Sequence, residues 1–164
     1  MQSTKPYKTR LELFSDCLDY LDSLTGEHSS PNKKKTYYYS TRNNPYAKWI
    51  DIVDSDLNKP VGFLVIGTDP NCHPDADYYI QEAYISPEYR RKGLMSKAVS
   101  DFIKEHEGTY CLFIIDNNEI ALKFWSAVFK KTKYKSVNLS EIRVNGPYSL
   151  YGYKPNWEEE TWIL

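Results

Sequence analysis

The sequence predicts an α/β domain of the α+β kind, built on a mixed sheet. Three observations carry this. Two β-branched apolar runs, "AKWIDIV" and "VGFLVIG", flank the turn-rich "DSDLNKP", as in an antiparallel hairpin. Two further strand-like runs, "YYIQEAYIS" and "YCLFII", each lead into a stretch of helical periodicity. Finally, "YKSVNLSEIRVNGPYSLYGY" reads as two weaker strands around the turn "NGP". The 164 residues suit one domain over 1–164, with no internal repeat and no low-complexity segment.

The elements follow in chain order. In "RLELFSDCLDYLDSLTG", Leu11, Phe14, Leu18 and Leu21 recur at helical spacing, with Leu13, Cys17 and Leu24 beside them, and the helix ends near Gly26. "EHSSPNKKKT" reads as a polar loop whose Lys33, Lys34 and Lys35 form a solvated basic run or meet an acidic partner. After the hairpin, "TDPNCHPDAD" is a second turn-rich loop. Its Cys72, His73, Asp75 and Asp77 match no zinc spacing, so no metal site is expected. The strand "YYIQEAYIS" ends at Ser86 and Pro87, since proline cannot continue a ladder. From Leu94 a single buried stripe, Leu94/Met95, Ala98/Val99 and Phe102/Ile103, predicts a helix stopped near Gly108. "YCLFII" is apolar throughout and too short for a helix, as in a strand buried on both faces. "DNNEIALKFWSAVFKK" repeats the helical stripe, with Asp116, Asn117 and Asn118 as start signals and Lys130 and Lys131 at the end.

Composition bounds the function. Net charge is −1, so the chain has no whole-surface attraction to nucleic acid, and any anion site must be local. Three widely spaced cysteines with no C-x-x-C pair point to reduced thiols rather than a disulfide framework. "MQSTKPYKTRLELF" has no signal-peptide pattern and no apolar run approaches the ~18 residues of a membrane span, so a cytoplasmic location is expected. The 15 tyrosines read as amphipathic packing at core edges and sheet faces.

The stretch "EYRRKGLMSKAV" carries the chemistry. A helix start leaves N–H groups unpaired and bears partial positive charge, and Arg90, Arg91 and Lys92 add full charge beside it. Gly93 lets backbone approach a ligand without a Cβ in the way. Such a nest suits a pyrophosphate; a solvent-exposed basic turn is the other reading of the same residues. Neither G-x-x-x-x-G-K-[ST] nor G-x-G-x-x-G is present, which disfavours a nucleoside triphosphate or a dinucleotide.

"YYIQEAYISPEYRRKGLMSKAV" followed by "YCLFIIDNNEIALKFW" resembles the GNAT acetyltransferase superfamily over residues 61 to 130. That family's cofactor loop has the form Arg/Gln-x-x-Gly-x-Gly/Ala. Arg90, Lys92 and Gly93 fit, while Met95 stands where a small residue is usual. The later segment resembles Asn-x-x-Ala-x-x-Phe-Tyr: Asn118, Ala121 and Phe124 match, and Trp125 replaces the tyrosine.

The resemblance implies a single GNAT-like domain: a mixed, mostly antiparallel sheet, helices on both faces, and a V-shaped split between two central strands that receives acetyl-CoA. It implies that the backbone of Tyr84 and Ile85 pairs with the pantetheine arm. The amides of Arg91, Lys92, Gly93, Leu94, Met95 and Ser96 would cradle the pyrophosphate next to Arg90. Asn118, Phe124 and Trp125 would lie along the cofactor, although Asn118 is equally a normal helix cap. The reaction implied is acetyl transfer to an amine by direct attack on the thioester. Glu82 is then the candidate base, acting directly or through water, with an ion-paired structural glutamate as the other reading. The Ile85 N–H is the implied donor to the oxyanion. Trp125 has no acidic proton for the leaving thiolate. Tyr148 or Tyr151 would supply one, or none is needed with a thiol pKa near 8.5. Two competing readings are a non-catalytic acyl-CoA-binding or regulatory module on the same fold, and a nucleic-acid binder using Lys33–Lys35 and the tyrosines. The acceptor is unidentified, and the resemblance is compatible with a homodimer.

Overall fold

The computed structural model describes residues 8–68, 73–140 and 146–156. Helices α1 (Arg10–Thr25) and α2 (Pro31–Arg42) precede strands β1 (Ala47–Asp54), β2 (Lys59–Gly67) and β3 (Tyr78–Ile85). Helix α3 (Leu94–Glu105), β4 (Tyr110–Ile115), α4 (Glu119–Lys131), β5 (Tyr134–Val137) and β6 (Tyr148–Pro155) follow. The strands form one six-stranded sheet in the order β1-β2-β3-β4-β6-β5. All neighbours run antiparallel except β3 and β4.

Local chemistry accounts for the helix ends. Thr9 and Glu12 close a reciprocal capping box on α1, and Gly26 ends it in the left-handed conformation at φ 77°. Asn118 caps α4 by accepting from the Ala121 N–H, and Lys130 and Lys131 complement its C-terminal dipole. Helix α2 corrects the sequence reading, which made "EHSSPNKKKT" a loop. Ser30 accepts from the Lys33 N–H as N-cap, and Pro31 occupies the first turn, where its missing N–H does no harm. The three lysines obscured the start because they leave that turn with no apolar stripe. The apolar anchors come later, at Tyr37 and Tyr38, which pack against α1.

Strand alternation on β2 sends side chains into two cores, so helices cover both faces of the sheet. Leu64 and Ile66 join Val99, Phe102, Ile103, Val128 and Phe129 under α3 and α4. Phe63 and Val65 join Leu13, Phe14, Cys17 and Tyr38 under α1 and α2. Phe14 is fully buried and meets Tyr37, Tyr38, Trp49 and Phe63 at ring separations of 5.3, 5.4, 5.6 and 5.5 Å. Many of the tyrosines are thus core-edge packing. Cys17 and Cys111 are buried thiols outside any disulfide, whereas Cys72 lies outside the described residues.

His73 is buried and serves as a staple. Its Nδ1 accepts from the Asp75 N–H at 2.9 Å, so Nε2 carries the proton and donates to the Ser140 carbonyl at 2.6 Å. Asp75 in turn accepts from the Ser140 N–H at 3.0 Å. These bonds tie the segment before β3 to the segment after β5. Among the described residues no helix is long and apolar enough to cross a membrane.

Close approach at one glycine fixes how β3 lies on β2. A Cβ on Gly62 would stand 2.4 Å from the Tyr84 carbonyl oxygen, a backbone atom that cannot swing away. Gly62→Ala is therefore expected to lose about 1–3 kcal/mol of stability through overpacking. A urea titration of the full chain measures this, and an unchanged midpoint would contradict the packing argument.

Candidate active site

Strands β3 and β4 pair over only three positions, Tyr78–Ile80 against Tyr110–Leu112. Beyond them β3 stays with β2 as far as Ile85, and β4 stays with β6 as far as Ile115. The two central strands therefore part in the middle of the sheet. A cavity of about 420 Å³ occupies the gap, bounded by β3, β4, α1, α2, α4 and Tyr148 of β6.

A bulge sets which side chains face it. Val65 pairs with Glu82 but Ile66 pairs with Ile80, so Gln81 is an extra residue on β3. Regular alternation would put Ile80 and Glu82 on one face. The bulge keeps Ile80 in the core under α3 and α4, and turns Glu82 to the face covered by α1 and α2.

Ladder alternation also decides which backbone groups face the gap. The Ser86 N–H donates to the Val61 carbonyl at 2.8 Å, so Ser86 and, two residues earlier, Tyr84 turn their backbone groups to β2. Ala83 and Ile85 turn theirs to the opening. The Ile85 carbonyl accepts from Arg90 Nε at 2.9 Å, and the Arg90 guanidinium lies 5.4 Å over the Tyr84 ring. Arg90 thus anchors the following loop to the end of β3.

That loop has an unusual backbone. Arg91 and Gly93 both adopt left-handed φ, 64° and 76°. Gly93 is the N-cap of α3 with no side-chain cap, so the amides of Leu94, Met95 and Ser96 have no partner within the helix. Nothing lies within 4 Å of where a Gly93 Cβ would be. Arg91 and Lys92 are exposed, and the Lys92 ammonium sits 5.1 Å over the Tyr89 ring. The arrangement is an uncapped, cation-flanked row of N–H groups, which fits a diphosphate.

Glu82 lines the cavity, half-buried. Burial pushes its carboxyl up to about 7, against the opposing effect of two donors. The Tyr37 hydroxyl donates to Oε1 at 3.1 Å, and the Cys17 thiol faces Oε2 at 3.9 Å. Burial and the neighbouring carboxylate raise both the Tyr37 phenol and the Cys17 thiol, so both stay protonated near neutral pH. A carboxyl poised near neutrality in a cavity suits proton abstraction.

Across the cavity, Asn118 and Trp125 of α4 are both lining residues and both buried. Asn118 Oδ1 is engaged by the Ala121 N–H at 3.2 Å, which leaves its amide NH2 outside the cap. Phe124 stands edge-on to Trp125 at 5.0 Å and outside the lining. Of the two C-terminal tyrosines, Tyr148 lines the cavity, while Tyr151 packs into the core under α3 and α4. Burial, then Glu27, Glu82 and Asp22, push the Tyr148 phenol up, so it too stays protonated.

Sequence reasoning missed Tyr37 and Cys17. Cys17 stood out only as a residue of the α1 stripe. Tyr37 is separated from Glu82 by 45 positions and follows the segment that reads as a loop. The N-cap pair Ser30–Pro31 was the signal that would have placed it on a helix.

A family model, described as "Acetyltransferase (GNAT) family", matches residues 12–129. Comparison with curated protein sequences finds no match. Among solved structures, an acetyltransferase from Thermus thermophilus superposes with TM-score 0.62 at 15% identity, covering 87% of this chain and 86% of that one. Spermidine N-acetyltransferase from Vibrio cholerae, solved with CoA and spermine, gives 0.56 at 13% identity, covering 90% and 91%. A GNAT-family acetyltransferase from Bacillus cereus gives 0.53 at 15% identity, covering 93% and 95%. These identities speak for the fold; the family match spans well over half of the chain and coincides with the parted strands and the uncapped amide row. The chain therefore belongs to the GNAT acetyltransferase family, whose acetyl donor is acetyl-CoA.

Proposed function

We propose that the protein is an acetyl-CoA-dependent N-acetyltransferase in which Glu82 removes the proton from the acceptor amine. The observation that carries this reading is Glu82 lining the cavity where the two central strands part, in a chain whose α3 starts with an uncapped amide row suited to a diphosphate.

When bound, acetyl-CoA supplies an acetyl group activated as a thioester. The protein's part begins with the amides from Arg91 to Ser96, which hold the diphosphate together with the charges of Arg91 and Lys92. Ala83 and Ile85 offer the backbone edge for the pantetheine arm. The Ile85 N–H also serves as hydrogen-bond donor to the acetyl carbonyl oxygen. Tyr84, with its backbone turned to β2, contributes its ring to the seat of Arg90 instead.

An alkylammonium loses its proton near pKa 10, by the lysine reference value, so it is not a nucleophile at neutral pH until a base takes that proton. Glu82, with a pKa near 7, is half ionised at neutrality and accepts it on a carboxylate oxygen. Trp125 closes the α4 side with a ring that has no acidic proton. Tyr148 is the cavity phenol from the C-terminal strands that can return a proton to the departing thiolate.

Free CoA released from acetyl-CoA in the presence of a panel of primary amines and peptide N-termini tests the activity. A rising limb in kcat with its midpoint near pH 7 is expected. Glu82→Gln should lower kcat by about 10²–10⁴ while calorimetry shows CoA affinity unchanged. CoA binding with no turnover on any amine would instead favour a non-catalytic acyl-CoA-binding module.

The same variant has a stability signature. The Glu82 pKa rises on folding, so between its ordinary value of 4.5 and about 7 the folded state holds more proton than the unfolded state. Stability linked to Glu82 is therefore present at low pH and lost as pH rises through that window. The Tm advantage of Glu82→Gln over the wild type should grow between about pH 5 and about pH 8. A pH-independent difference would contradict the raised pKa.

Gly93→Trp tests the diphosphate seat. Nothing lies within 4 Å of where a Gly93 Cβ would stand, so the first side-chain atom meets no clash. The substitution should abolish CoA binding by calorimetry, while the left-handed φ imposes a stability loss of about 1 kcal/mol or more. Retained CoA affinity would place the cofactor elsewhere.

A further inference from the structure

We propose that Tyr37 is a positioning residue for Glu82. Its phenol, carried by α2, donates to one carboxylate oxygen. The Cys17 thiol, carried by α1, covers the other. Together they fix how the carboxylate sits in the cavity and at what pH it is charged. The inference rests on Glu82 as the base of the proposed acetyl transfer.

The geometry is specific. Tyr37 Oη lies 3.1 Å from Oε1 and Cys17 Sγ lies 3.9 Å from Oε2, so each oxygen has its own donor from its own helix. The Tyr37 ring is held edge-on to the fully buried Phe14 at 5.3 Å, which limits its swing. The other titratable groups around the cavity are Asp22 on α1, Glu27 in the link, Lys33 and Lys34 on α2, Tyr79 on β3 and Tyr148 on β6. Asp22 is engaged by the Ser29 N–H at 2.9 Å, and Lys34 by Asp19 at 2.6 Å. The cavity residues of β4 and α4 carry no charge. Hydrogen bonding from Tyr37 and Cys17 is therefore the direct counterweight to burial at Glu82. A phenol donating to a carboxylate favours its charged form, and a thiol does so more weakly. Removing the phenol leaves burial less opposed, and Glu82 then holds its proton to higher pH.

The test is a ¹³C-carboxyl NMR titration of the full chain labelled at glutamate, with the Glu82 signal assigned by its absence in Glu82→Gln. In Tyr37→Phe the Glu82 midpoint should move up by about one unit, and in Cys17→Ala by less in the same direction. In parallel, the rising limb of kcat in Tyr37→Phe should shift to the same higher pH and recover on the alkaline side. An unmoved midpoint in Tyr37→Phe overturns the proposal, as does a kcat loss equal at every pH. The titration needs no turnover, so the two readings fail separately. A shifted midpoint without acetylation of any amine would sink the acetyl-transfer reading alone. Turnover with an unmoved midpoint would sink the positioning role alone.

Discussion

Where β3 leaves β4, two neighbouring strands in the middle of a sheet face each other without a ladder between them. Backbone N–H and C=O groups left unpaired and buried cost about 1–3 kcal/mol each, so a sheet does not open there without compensation. Here the compensation is built piece by piece. Gly62 lets the Tyr84 carbonyl lie close to β2, which holds β3 on that side. Arg90 takes the Ile85 carbonyl. The backbone groups of Ala83 remain on the open side, and the cavity that Ala83 lines brings solvent or ligand to them. The same opening that weakens the sheet supplies an extended edge of the kind an amide-bearing chain can pair with, as an added strand would.

Glu82 depends on the same departure. Its side chain reaches the α1/α2 face because Gln81 bulges just past the last β3–β4 pair. There the carboxylate meets two opposing influences, of which burial is the larger. Burial among Cys17, Tyr37 and the sheet favours the protonated form, and the two donors favour the charged one. Burial prevails, but not by enough to keep the group neutral at all working pH. A carboxyl fully enclosed without donors would stay protonated, and an exposed one would be too weak a base. The intermediate value belongs to the α1–α2–β3 contact as a whole, not to any one of its residues.

Much of this was legible in the sequence, and the boundary of legibility has physical causes. "YCLFII" is β4 over Tyr110–Ile115, because a strand buried on both faces leaves an uninterrupted apolar signature. The α3 stripe was equally plain, and so was that of α4, except that Ile120, read as part of it, stands exposed at the first turn. The cation-flanked glycine turn stood out because its signal is local, whereas Glu82 was singled out only through the family resemblance. Helix α2 failed because its first turn is written in caps rather than in apolar spacing. Tyr37 and Cys17 failed for a different reason. Their meaning lies in contacts 45 and 65 positions away, and nothing in the periodicity of a helix says which strand residue it will cover. The bulge at Gln81 was likewise silent, since a single extra residue leaves the apolar pattern of "YYIQEAYIS" intact.

The two departures from the family pattern have opposite consequences. Met95 stands where a small residue is usual, yet its side chain packs against the core under α3 and α4. Its bulk is therefore spent on the helix's inner face, and the amide row is shaped by left-handed backbone at Arg91 and Gly93 rather than by small side chains. The departure at Met95 leaves the amide row uncapped. Trp125 does alter the cavity, because a buried indole lines the α4 side where the pattern has a phenol. The tyrosines that line the cavity come from other elements, Tyr37 from α2, Tyr79 from β3 and Tyr148 from β6. On the proposed mechanism, proton transfer would therefore fall to the face covered by α1 and α2, the face to which the bulge turns Glu82.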